Sequence, residues 1–206
     1  MFIAFEGIDG TGKSTTIQMV ADKLKTFGKE VVIVKTPGGT PEGIKIRELL
    51  LNPASDLDQK ATTLLFLTDM IQVSEKVILP ALDRGAIVLC DRFFGSTIVY
   101  QLSSLPENVV SNFLPIIGLL PQPDLTFILD LPIAEAMKRV QKRDKKSDRY
   151  EEADEQIWHF RANAFRKAAA LTPNMALVNA LFKTPYEVTN EIISEIAEAF
   201  LNLDAA

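Results

Sequence analysis

The chain has 206 residues, 47% of them hydrophobic and 24% charged, enough for one domain with a sizeable core and without the bias of a disordered or fibrous protein. Its formal net charge of -5 argues against a broad nucleic-acid footprint, so an anionic ligand has to be met by a local cluster of cations. The single cysteine, Cys90 in the apolar run "AIVLCD", excludes an intrachain disulfide and reads as a buried structural thiol, which fits a reducing compartment.

The opening "MFIAFEG" has neither a basic n-region nor a cleavage site, and no apolar run approaches the roughly 18 residues of a membrane span. The expectation is a soluble, cytoplasmic protein with no membrane or nucleic-acid partner. Along the chain, the short runs "MFIAFE", "EVVIVK", "AIVLCD", "LTFILDL" and "MALVNA" read as strands. Between them lie helical patterns from Lys13 to about Phe27, Pro41 to Leu51, Asp56 to Arg84, Ser96 to Leu102, Pro132 to about Arg143, Glu151 to Leu171 and Thr184 to Leu201. Pro41 and Pro132 suit first-turn positions, Asp56 an N-cap, and Gly85 a stop. Near-continuous apolar strands separated by helices predict a five-stranded parallel sheet covered on both faces, the doubly wound α/β class, in a single domain over 1–206. No repeat, low-complexity segment or linker interrupts it.

"GIDGTGKST", residues 7–15, follows the first strand and opens the first helix. Gly7, Gly12, Lys13 and Ser14 match G-x-x-x-x-G-K-[ST], the phosphate-binding loop of P-loop proteins. Glycines let successive backbone N–H groups turn toward phosphate oxygens, the helix adds its positive end, and Lys13 supplies a point charge. The whole run, with Ile8, Gly10, Thr11 and Thr15, is therefore assigned to a nucleoside triphosphate such as ATP, and Ser14 to Mg²⁺.

Asp9 lies inside this loop, where it either caps the turn or holds a sugar hydroxyl or a metal-bound water. Asp91 ends the third strand and Arg92 follows it. In a parallel sheet the carboxyl ends of strands face the ligand crevice, which places Asp91 for the Mg²⁺ shell and Arg92 for a phosphate. The segment "KRVQKRDKKSDRYEE", residues 138–152, is basic in an acidic protein: from Lys138 to Arg149 it carries seven basic and two acidic side chains. Taken alone, such a run reads as a solvated helix face entering a loop.

Taken together and in order, "FEGIDGTGKST", "PGGTPEGIKIRELL", "LLFLTDMIQVSEKVILPALDRG", "DRFFGSTIVYQ" and "RVQKRDKKSDRYE" resemble the thymidylate kinase family over nearly the whole chain. The resemblance implies Mg²⁺-dependent transfer of the ATP γ-phosphoryl group to the 5′-phosphate of dTMP. It implies that Phe66 stacks on the acceptor base, that Arg47 and Arg92 hold the acceptor phosphate, and that Pro37 shapes a loop against the nucleotide. Thr97 and Gln101 would hydrogen-bond the base, and Tyr100 would press on the sugar near C2′. The basic segment becomes a LID over ATP. With Gly10 in the loop position, the catalytic arginine is expected from the LID, as Arg143 or Arg149, with Arg139 packing on adenine and Asn179 and Ala180 forming the adenine-side turn. Such an arginine accounts for ~10³ to 10⁵ in rate in other phosphoryl-transfer systems. Related enzymes are homodimers through their long helices, which implies the same here.

Two positions depart from the pattern. Lys35-Thr36 replaces the usual Arg-Glu before Pro-Gly-Gly, removing a carboxylate. Met70 stands where bacterial relatives commonly carry a base-reading arginine, and methionine donates no hydrogen bond; adjacent Asp69 would accept from an amino-bearing base if it pointed inward. The alternative function is thus a deoxynucleoside monophosphate kinase of broadened or shifted base preference. A regulatory P-loop ATPase is a third reading; the chain lacks the N-K-x-D signature of GTPases.

Overall fold

A computed structural model describes residues 1–142, 150–151 and 153–203, with 200–203 as backbone only. Five strands, β1 (Phe2–Glu6), β2 (Val31–Lys35), β3 (Ile87–Asp91), β4 (Leu125–Asp130) and β5 (Met175–Asn179), form one sheet in the order β2-β3-β1-β4-β5. Every pairing is parallel. The expected doubly wound five-stranded sheet is therefore present. The chain moves from central β1 out to β2, returns to β3, and crosses to β4 on the other side, so the order reverses at β1 and a crevice opens at the carboxyl ends. Register places Asp91 level with Phe5 of β1 on one side and with Lys35 of β2 on the other, which brings three strand ends to one edge.

The helices are α1 (Lys13–Thr26), α2 (Pro41–Leu51), α3 (Gln59–Val73), α4 (Leu79–Asp83), α5 (Phe94–Tyr100), α6 (Glu107–Val110), α7 (Leu114–Ile117), α8 (Ile133–Gln141), α9 (Glu155–Leu171) and α10 (Pro185–Leu203). Alternation along β1 divides the core. Ile3 and Phe5 face a cluster with Ile17 and Val20 of α1, Phe165 of α9 and Ile192 of α10. Phe2 and Ala4 face the opposite cluster with Leu67, Met70 and Val73 of α3 and Ala81 of α4. Each side chain of β1 is thus buried beneath a helix layer. Among the described residues no helix is long and apolar enough to cross a membrane.

The long helix expected over Asp56–Arg84 starts later and changes pitch. Asp58, not Asp56, caps it, accepting from the Lys60 amide at 2.9 Å. Between α3 and α4 lies a π-helical turn, Ser74–Ile78, where the Leu79 amide reaches back to the Ser74 carbonyl. Pro80 supplies no N–H to the next turn, and the wider turn before it absorbs that break. Pro132 precedes the first turn of α8 rather than joining it. The region after Tyr100 holds a 3₁₀ turn, Leu102–Ser104, and the short α6 and α7, which the residue pattern did not announce.

Candidate active site

The loop between β1 and α1 is shaped by close backbone approach. Gly7 has φ 125° and Gly10 φ 82°, and a Cβ at either would collide with a main-chain oxygen, that of Leu129 or Ala136 respectively. Lys13 is buried, and its Nζ donates to the carbonyls of Gly7 at 3.0 Å and Ile8 at 2.8 Å. Burial, reinforced by the charge of Arg92, lowers its pKa to about 8, against the pull of Asp9, Asp91 and Glu6. The ammonium is thereby held over the loop. Thr11 closes the turn with a 3.0 Å bond to the Ile8 carbonyl.

A cavity of about 380 Å³ opens beside this loop, lined by Asp9, Gly10, Gly12, Lys13, Ser14 and Thr15 from the loop side and by Lys35, Thr36, Arg47, Asp91, Arg92 and Glu151 across from it. Ser14 Oγ donates to Asp91 Oδ2 at 2.9 Å. A hydroxyl and one carboxylate, both hard oxygen donors, fit Mg²⁺, a cation that takes its remaining ligands from water and phosphate. Asp130, the strand-end carboxylate of β4, is instead occupied by Arg166, whose Nε and Nη2 lie 3.0 and 2.9 Å away.

Arg92 leaves β3 with φ 68°. Its Nη2 meets Asp9 Oδ1 at 2.7 Å, and its Nη1 donates to the Gly7 carbonyl and to Ser96 Oγ, both at 3.0 Å. Burial opposes its charge, but Asp9, Tyr100, Asp91 and Glu6 outweigh that and raise its pKa well above the ordinary arginine value. Glu6, buried at the end of β1, accepts from the amides of Phe93 and Ser96 at 3.0 Å and from the Ser96 hydroxyl. Burial pushes this carboxyl up while those bonds resist. The result is a fixed start for α5, two residues after Arg92.

A second, narrower cavity of about 80 Å³ adjoins the first. Asp9, Pro37, Arg47, Phe66, Arg92, Tyr100 and Gln101, all assigned to the acceptor side from the sequence, line it together with Leu51, Ser96 and Tyr150. Arg47 Nη1 donates to the Pro37 carbonyl at 2.9 Å. Tyr150 packs edge-on against Phe66 at 6.1 Å and Tyr100 at 5.9 Å between ring centroids. Two guanidiniums lie over the Tyr100 ring, Arg161 at 4.3 Å and Arg92 at 5.2 Å from its centroid. Burial and the neighbouring Asp9 push its phenol above the usual range. Glu6, Tyr150 and Arg161 were not singled out from the sequence. Tyr150 was within reach, as it stands inside the quoted "DRYEE", whereas a lone arginine on α9 carries no local signal.

Met70 and Thr97, assigned to the acceptor side from the sequence, are not among the residues lining this cavity, and Asp69 does not take the inward orientation considered for it. Met70 is 1% exposed and packs in the core with Leu67, Val73 and Phe93 instead of lining the wall. It falls at the centre of the buried face of α3, while Phe66, one turn earlier, sits at the rim. Thr97, also 1% exposed, lies behind the wall on α5. Asp69 does not point toward a base: its Oδ1 accepts from the Gly38 amide at 3.0 Å, and its buried Oδ2 has no hydrogen-bond partner among the described residues. Burial raises its pKa to about 6, against the Gly38 bond and the charge of Arg47.

A third cavity, about 330 Å³, lies on the far side of the loop between Gly10, Thr11, Gly12 and Thr15 and the residues Arg139, Ala180 and Lys183. Arg139 and Ala180, expected on the adenine side, both line it. Asn179 stands beside it and shapes the turn, accepting from the Leu181 amide at 2.8 Å. Arg143 and Arg149 lie outside the described residues.

The family model described as Thymidylate kinase matches residues 5–192. A thymidylate kinase of Thermosipho africanus is 39% identical over 189 residues, covering 87% of this chain and 89% of its own. One from a Bradyrhizobium strain is 37% identical, covering 100% and 93%. Among solved structures, thymidylate kinase from Ehrlichia chaffeensis superposes with a TM-score of 0.74 at 27% identity, covering 95% of this chain and 98% of its own. That from Candida albicans, a thymidylate kinase described as having broad substrate specificity, gives 0.78 at 27% identity, covering 96% and 91%. With its phosphate loop, its strand-end Asp91 and its aromatic side pocket in place, the chain belongs to the thymidylate kinase family.

Proposed function

We propose that this protein transfers the γ-phosphoryl group of ATP to the 5′-phosphate of dTMP, giving dTDP. The observation that carries the reading is that Asp9, Arg47 and Arg92 line both the phosphate cavity and the aromatic pocket, so two guanidiniums face the donor and acceptor sides together. Phosphoryl transfer asks mainly for alignment and positive charge. Lys13 meets the donor phosphates, Arg92 and Arg47 hold the acceptor phosphate, and Phe66 offers a ring face to the base beside the amide of Gln101. Tyr100, braced by Arg161, bounds the sugar. Ser14 and Asp91 would hold Mg²⁺, which when bound neutralises charge on the transferred group.

The alternative of a shifted base preference rested on Met70, and the burial of that side chain in the core argues for the dTMP reading instead. Arg139, Asn179 and Ala180 frame the adenine, and a LID arginine, Arg143 or Arg149, meets the transferring group. The chain acts as one domain, located in the cytoplasm. It pairs as a homodimer through the exposed apolar side chains Ile44 and Leu49 of α2 and Leu64 and Ile71 of α3, which sedimentation would show as twice the chain mass.

The deciding experiment is kcat/KM with Mg-ATP across dTMP, dUMP, dGMP, dCMP and dAMP. A clear preference for dTMP is expected; equal or greater efficiency on another base would remove the assignment. Turnover by Lys13→Ala near the wild-type rate would remove the role of the loop.

A further inference from the structure

In a regular strand, neighbouring side chains point to opposite faces. Yet Asp91 and Arg92, consecutive at the end of β3, both line the phosphate cavity. The left-handed backbone of Arg92, φ 68°, is what turns the chain so that both do. A non-glycine residue adopts that region only where its surroundings hold it.

The surroundings are specific. Thr36, just past β2 and 5% exposed, donates its hydroxyl to the Arg92 carbonyl at 2.8 Å and its amide to the Asp91 carbonyl at 3.1 Å. Cys90 Sγ reaches the same Arg92 carbonyl at 2.9 Å. From the other side, the Arg92 amide donates to the Phe5 carbonyl at 2.9 Å. The peptide groups around Arg92 are thus tied to β2 and β1 at once, and the Thr36 hydroxyl is the side-chain tie that comes from the neighbouring strand's end rather than from β3 itself.

We propose that Thr36 is a positioning residue for Arg92: its hydroxyl pins the Arg92 carbonyl and keeps the bend that aims the guanidinium at the acceptor phosphate. The last clause rests on the function proposed above. The ion pair to Asp9 and the bonds to Gly7 and Ser96 fix the guanidinium end, while Thr36 fixes the backbone end. Loss of either lets the side chain sample other directions.

The test compares Thr36→Val, which keeps the shape and removes the donor, with Thr36→Ser, which restores it. With Mg-ATP and dTMP, kcat/KM for dTMP is expected to fall about tenfold or more in Thr36→Val while KM for ATP stays within about twofold, since misplacement by an ångström alone costs on this scale. Thr36→Ser should recover most of the loss. Thr36→Ala serves the same comparison if the valine variant does not fold. A crystal structure of the variant supplies a readout independent of turnover: Arg92 is expected to leave the left-handed region. Unchanged dTMP kinetics, equal losses for ATP and dTMP, or an Arg92 that keeps φ near +68° would each overturn the proposal. A wild-type protein inert toward dTMP would remove the proposed function instead, and the Arg92 backbone in the variant would still decide the role of Thr36.

Discussion

The Arg92 guanidinium sits 2.7 Å from the Asp9 carboxylate, joining the end of β3 to the phosphate loop across the mouth of two cavities. Both side chains are largely buried, 18% and 23% exposed, so the pair is shielded from salt and fixed in direction. An acceptor phosphate arriving here meets a cation already oriented, with an anion that must share it.

Arg92→Ala is expected to lower kcat by about 10² to 10³, the scale of losing one oriented donor to a charged transition state. Arg92→Lys should recover little, because an ammonium cannot replace donors that reach Asp9, Gly7 and Ser96 together. Steady-state kinetics on purified variants decides it; near-normal turnover of either would detach Arg92 from the reaction.

Phe66→Ala should act on acceptor binding alone. Stacking of a base on an aromatic ring is worth about 1–3 kcal/mol by alanine substitution, so KM for dTMP should rise roughly tenfold while KM for ATP holds. A matching rise for ATP would mean that the change had loosened α3 as a whole.

Met70→Ala should cost about 2–5 kcal/mol of stability, as truncation of a filled core position does, with KM for dTMP nearly unchanged in the folded fraction. Denaturant unfolding and kinetics on one preparation separate the two. A large change in base preference without loss of stability would put the side chain back at the pocket wall.

Asp69 predicts a pH signature. Its folded pKa, raised to about 6 from 3.8, means that the folded state binds the proton more tightly than the unfolded chain. Stability from this group is therefore greatest at low pH and falls as pH rises from about 4 through 6. Asp69→Asn cannot ionise, so its melting temperature relative to wild type should improve between pH 5 and pH 7.5. A difference independent of pH would mean that Asp69 does not titrate in that range.

The fold was legible because its signals are local: apolar strands, amphipathic spacers and a glycine-rich loop each declare themselves within a few residues. The phosphate side of the site was legible for the same reason, since Gly7 to Thr15 are contiguous. The acceptor side was only partly so. Phe66 and Met70 share one helical repeat, and the pattern cannot say which sits at the rim and which in the core; that is set by how α3 docks on the sheet. Glu6 read as a strand end, because its three hydrogen-bond donors come from residues 93 and 96. Arg161 acquires its meaning from the Tyr100 ring 4.3 Å away. Pairings across such sequence separations leave no spacing to read.

The sole sulfhydryl of the chain, Cys90, lies on β3, one strand in from the edge of the sheet, with no exposed surface, and burial pushes its pKa well above the usual thiol range. A thiol in that setting is neither reachable nor ionised, so a maleimide or Ellman-type reagent should react only as fast as the sheet opens around β3. The protein thereby carries a built-in clock for its own global unfolding. It also offers a silent background: a cysteine introduced on the surface would take a spectroscopic label alone, without any need to remove the native one.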